Sequence, residues 1–101
     1  GDIETSLMLA IAPHKVRMEQ AQNFPSTAQA RAQDYRLLGD GKSAKLGWHM
    51  QDYNPHGAAG NAAAATPEKG QALLDAAGRA LAALLVEMDQ LPPDTLRQHT
   101  A

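Results

Sequence analysis

Cysteine is absent from the 101 residues, which excludes a disulfide framework and any thiolate-based metal site. The same absence fits a reducing compartment, and the expected location is the cytoplasm. Aromatic side chains are scarce at 4%, and much of the 44% hydrophobic content is alanine, which buries little area. No apolar run approaches the ~18 residues needed to span a bilayer, and no secretory pattern opens the chain. The formal net charge is only -2, so nothing in the charge balance would draw nucleic acid or a membrane surface. The length suits one small domain at most. Fully burying a large aliphatic side chain contributes about 1.5–3 kcal/mol, whereas ordering each residue costs about 1–2 kcal/mol. Alanine-rich helices do not offset that cost alone, so a larger body to pack against, or self-association, is expected. The first residue is Gly1 rather than methionine, and the expectation is a processed or truncated piece of a longer protein.

What is present is mainly helix. Ile3, Leu7 and Ile11 recur at i, i+4, i+8 with Met8 and Ala10 beside them, which predicts a helix over about 2–12. Asp2 and Glu4 fall in its first turn, where the helix dipole favours negative charge, and Pro13 ends it. Val16–Met18 reads as a short strand. Ser26 and Gln29 have capping-box spacing ahead of a second helix over about 27–38, with Gly39 as its C-terminal stop. Ala44, Leu46, Trp48 and Met50 alternate with Lys45, Gly47 and His49, the two-residue period of a half-buried strand over about 44–50. Asn54-Pro55, Gly57, Gly60 and Asn61 make 52–65 a loop despite its alanines. The last helix carries the clearest signals. Thr66 can cap it, Pro67 suits the first helical position, Glu68 complements the dipole, and Leu73, Ala77, Leu81, Leu84 and Met88 form a stripe. It should run over about 67–90 and measure roughly 33–36 Å. Residues 91–101 read as a flexible tail.

Candidate chemistry is sparse. Glu4 at a helix N-terminus is either a plain capping carboxylate or, with its ionised form stabilised by oriented N–H groups, an acceptor or base. His49, Asp52 and His56 lie within eight residues and could approach one cation, but their spacing matches neither HExxH nor H-x3-H on one helix face. Ser6 has no nucleophile elbow around it. Lys69 reads as a solvated charge rather than a catalytic amine. Gly70 and Gly78 each cost the last helix about 1 kcal/mol relative to alanine, and close approach of another backbone would explain them. From the residues alone there is no self-contained active site, and no metal ligand or cofactor-binding residue is assigned.

The opening stretch Gly1-Asp-Ile-Glu4-Thr5-Ser6-Leu7-Met8-Leu9-Ala10-Ile11-Ala12-Pro13 resembles the His-Ala-Gly-x-x-Glu-Thr-Ser-x-x-Leu segment of the creatininase family, met at its glycine. Pro13-His-Lys-Val16 is similar to the family's following P-x-x-V. A second stretch, Gly47-Trp48, then Gln51-Asp52, then Gly57-Ala-Ala-Gly60-Asn61 and Ala65-Thr66-Pro67-Glu68-Lys69-Gly70, resembles the family's G-x-x-G-x-x-x-x-A-T-x-E-K-G lead into its last helix. Together these segments cover about half of the chain, in the family's order.

The resemblance implies that 1–101 is the C-terminal part of a single creatininase-like domain of three-layer α/β fold. It implies an amidohydrolase acting on cyclic or linear amides, outside peptide bonds, with a small-molecule amide as substrate. In such enzymes two divalent metals (zinc, manganese or both) bind and activate the attacking water, with ligands from an N-terminal half that this chain lacks. The family's catalytic histidine would lie just before Gly1. Glu4 is then the one matched polar residue expected to reach the active site, orienting or relaying protons to that histidine or to the metal-bound water, while Thr5 and Ser6 cap and pack the helix start. The implied partners are the N-terminal half of the same protein and further copies in a homo-oligomer, and the isolated chain is expected to be inactive. The competing expectation is a free-standing helical interaction module using the alanine-rich last helix as an assembly face. That reading calls for a compact fold with few long loops. A metal-binding module on His49, Asp52 and His56 is a third.

Overall fold

Two helices that meet at their N-terminal turns organise the chain, and the rest of the polypeptide loops out between them. The computed structural model describes residues 1–97. In chain order the elements are α1 (Asp2–Ile11), β1 (Asn23–Phe24), α2 (Ala28–Asp34), α3 (Met50–Tyr53), β2 (Gly60–Asn61) and α4 (Pro67–Gln90). Single 3-10 turns lie at Pro13–Lys15, Met18–Gln20, Ala62–Ala64 and Pro93–Thr95.

The two long helices form where local signals predict them. α1 ends at Ile11 because Ala12, ahead of Pro13, is driven to φ -148°. α4 starts on Thr66, whose Oγ1 accepts the Lys69 N–H at 3.2 Å, with Pro67 at a position that needs no donor. It ends at Gln90 as Leu91 turns extended before Pro92. The second helix is shorter than its expected 27–38. Tyr35 is already extended, and the chain doubles back so that Gly39 lies on the helix: a Cβ on Gly39 would sit 2.4 Å from Ala32 Cα. Ser26 Oγ accepts the Ala28 N–H at 3.1 Å, but Thr27 occupies the cap position instead.

Neither expected strand forms. Val16 is extended, but Met18 opens a 3-10 turn. In 44–50 the alternation survives only as burial, with Ala44 and Leu46 half-buried between exposed Lys45 and Gly47; Met50 starts α3. A strand is stable only with a ladder partner, and the one ladder among the described residues is the short antiparallel pair Asn23↔Asn61 and Phe24↔Gly60. The 44–49 stretch is held instead by side chains. The Tyr53 hydroxyl donates to Leu46 O at 2.9 Å, and the Arg31 guanidinium lies over the Trp48 and Tyr53 rings at 5.1 and 5.8 Å. Of the expected tail, Pro93–Thr95 forms a turn, and residues 98–101 lie outside the described residues.

The interior is small. Among the described residues Ala65 is the one buried hydrophobic side chain, accompanied by Ser6 and Asn54, and Gly70 is buried in α4. From Asp75 to the end of α4 every residue is exposed, and Leu81, Leu84, Leu85, Val86 and Met88 are each at least 50% exposed. The Cα radius of gyration is 19.6 Å, against about 13 Å for a compact domain of this length. That open shape argues against the free-standing module, which needs a closed fold of its own.

Candidate functional site

The first turn of α1 is where the matched segments meet. Ser6 is fully buried there. Its hydroxyl donates to Asp2 Oδ1 at 3.0 Å, one helical turn back, and accepts the Thr66 N–H at 3.1 Å from across the joint. Lys69 Nζ donates to Asp2 Oδ2 at 3.0 Å and to Ala64 O at 2.7 Å. The lysine read from sequence as a solvated charge is thus the outer bolt of this joint. Its partner lies 67 positions away, beyond the reach of local pattern. The backbones touch at Gly70, where a Cβ would lie 1.9 Å from Ser6 O. A second glycine contact closes the same end: Gly60, at φ +99°, leaves no room for a side chain, since a Cβ there would lie 2.8 Å from Gly1 Cα.

The pairing sets the state of Asp2. The Lys69 ammonium, then the Ser6 hydroxyl, hold its carboxyl below the ordinary carboxylate value. A carboxyl whose folded pKa is depressed adds stability above its unfolded value and loses it as pH falls through the folded one. The stability gap between the wild type and Asp2→Asn should therefore be constant near neutrality and close below about pH 4. Because the pair is exposed, the gap should also shrink in ~1 M salt. Denaturant midpoints across pH measure both effects, and a gap that widens in acid would contradict this role for Asp2.

Ser6→Ala removes the acceptor for a part-buried amide. Leaving the Thr66 N–H without a partner costs about 1–3 kcal/mol. Equilibrium unfolding of Ser6→Ala, with Ser6→Thr for comparison, measures that cost.

Glu4 sits on the other side of the turn. At 100° per residue it points about 160° away from both Asp2 and Ser6. It is exposed, and among the described residues no donor bonds its carboxylate. One side of it borders a recess of about 470 Å³ shared with Gly1, Asp2, Ile3, Met50, Gly60 and Asn61, among others. The other borders a shallower hollow with Lys15 and Arg17.

The histidines do not converge on a cation. Asp52 Oδ2 accepts the His49 N–H at 3.0 Å and so caps α3. The His56 ring leans on Phe24 with centroids 5.7 Å apart, and the His56 backbone N–H donates to Asn54 Oδ1 at 2.8 Å. Among the described residues no group of three or more His, Cys, Asp or Glu side chains could hold a metal ion. The idea of a module on His49, Asp52 and His56 is set aside for that reason. The described residues also contain no helix long and apolar enough to cross a membrane.

Comparison with protein families matches residues 1–85 to the model described as Creatininase: Creatinine amidohydrolase. The chain belongs to the creatininase family. No curated protein and no solved structure matches it. Membership makes this an amidohydrolase-type chain within an α/β family. The match spans the α1 segment, the intervening loops and most of α4, so the joint lies wholly inside it. Creatininase-family enzymes are generally metal-dependent, yet the described residues form no metal site by themselves.

Proposed function

We propose that the chain forms the C-terminal part of a metal-dependent creatininase-family amidohydrolase and contributes one wall of its active site. The single observation that carries this reading is the joint. Two segments sixty positions apart, each resembling the family, close on one another through Ser6 and Thr66. That closure leaves the Glu4 carboxylate at the rim of a recess. The reaction is hydrolysis of an amide C–N bond of a cyclic or linear non-peptide substrate. Water adds to the carbonyl carbon, the C–N bond breaks, and the leaving nitrogen takes up a proton. Glu4 acts as an acceptor at the wall, taking or orienting the proton that must move.

The metal ligands, zinc or manganese by family expectation, come from outside this chain. The exposed apolar residues of α1 and α4, such as Ile3, Ile11, Leu73 and Leu81, are the face that rests on the remainder of a three-layer α/β domain. That remainder is the N-terminal half of the same protein, in a homo-oligomer working in the cytoplasm. The isolated chain is inactive because it lacks the ligands.

The test is the gene product expressed from its own start codon, with intact mass, metal analysis and an amide-hydrolysis screen on one sample. A chain of about double this length that binds about two metals and hydrolyses amides supports the proposal. A product that begins near Gly1 and binds no metal overturns it.

A further inference from the structure

The joint does more than hold two helices together. Glu4 has no hydrogen-bonded support of its own among the described residues, so its direction depends on the rotation of the α1 first turn. That rotation is held from the opposite side. Asp2 and Ser6, about 40° apart around the helix, are gripped by Lys69 Nζ at 3.0 Å and by the Thr66 N–H at 3.1 Å. Lys69 is itself braced on Ala64 O at 2.7 Å, so the grip reaches from the loop before α4 to the first turn of α1. Lys69 borders neither the larger recess nor the hollow with Lys15 and Arg17, whereas Asp2 lines the recess beside Glu4.

We infer that Lys69 is a positioning residue for Glu4, acting through its grip on Asp2 and the α1 first turn without touching substrate. The inference rests on the reading of Glu4 as the wall carboxylate. A small rotation of the turn swings a glutamate side chain through far more than the tolerance of a reacting geometry, and a misplacement of about 1 Å costs about a hundredfold in rate.

The test is a kinetic double-mutant cycle in the full gene product, with Lys69→Met, Glu4→Gln and both together, read alongside amide hydrogen exchange at Thr66. Lys69→Met should lower kcat by about a hundredfold and leave KM within about twofold. It should also speed exchange of the Thr66 amide, whose bond to Ser6 belongs to the same grip. Lys69→Arg keeps the cation beside Asp2 and should recover at least about tenfold of the loss. If Lys69 acts through Glu4, the double variant has the kcat of Glu4→Gln alone. A merely structural lysine would give losses that multiply, and that outcome overturns the inference. A disabling Glu4→Gln beside an unaffected Lys69→Met overturns it while leaving the role of Glu4 intact. An inert Glu4→Gln removes the reading of Glu4 and the inference with it, even if Thr66 exchange still reports the grip.

Discussion

Gly70→Ala is expected to destabilise the protein by about 2 kcal/mol or more, even though alanine is the better helix former. In an exposed helix the same change would contribute about 1 kcal/mol of stability. Here the added Cβ would lie 1.9 Å from Ser6 O and 2.5 Å from Ser6 C, both backbone atoms that cannot rotate aside. α1 must then move off α4 by more than 1 Å, which breaks the Ser6–Thr66 bond and the Asp2–Lys69 pair together. Gly78, eight residues further along the same helix, is the internal control. A Cβ there meets nothing within 4 Å, so Gly78→Ala should raise the helicity of the isolated chain in line with the ordinary gain. Opposite signs at Gly70 and Gly78, read by circular dichroism and denaturant midpoints, would locate the close approach at Gly70. Equal signs would contradict it.

The second large effect concerns chemistry rather than packing. Glu4→Gln keeps the shape of the side chain and removes its charge and its capacity to take a proton. In the full enzyme kcat should fall by about 10²–10⁴-fold, the usual contribution of a positioned acid or base, with KM little changed. Stability should move by no more than about 1 kcal/mol, the usual range for an acidic residue in a helix first turn. Metal content should stay at the wild-type level, because Glu4 is proposed as an acceptor and not as a ligand. Activity within twofold of wild type would reduce Glu4 to the plain capping carboxylate that its exposed position also permits.

The parts of the fold that local chemistry specifies were legible in the sequence. α4 was readable at both ends because Thr66, Pro67 and the Leu91-Pro92 stop act within one turn of the residues they govern. α1 was readable from Ile3, Leu7 and Ile11 and from Pro13. The strands expected at 16–18 and 44–50 failed for the opposite reason: alternation shows which face a segment would bury, but a ladder needs a second strand. The two strands that do form are two residues each, one of them containing Gly60, and carry no pattern to find. Lys69 is exposed, as read, but its pairing was not legible. Nothing near it in the chain hints at Asp2, and only the close approach permitted by Gly70 brings the two together. Gly70 itself was the available signal, since a glycine inside a strong helix already pointed to a neighbouring backbone.

That joint also orders events in time. The amide of Thr66 and the hydroxyl of Ser6 are sixty positions apart. At about 5–20 residues per second on the ribosome, α1 is complete about 3–12 s before its partner exists. Ten residues are too few to hold a helix unaided in water. α4, with 24 residues and its own cap, can form within microseconds of being made. The joint therefore closes late: whatever already supports α1, its Ser6 hydroxyl has no Thr66 amide to accept until the start of α4 has been made.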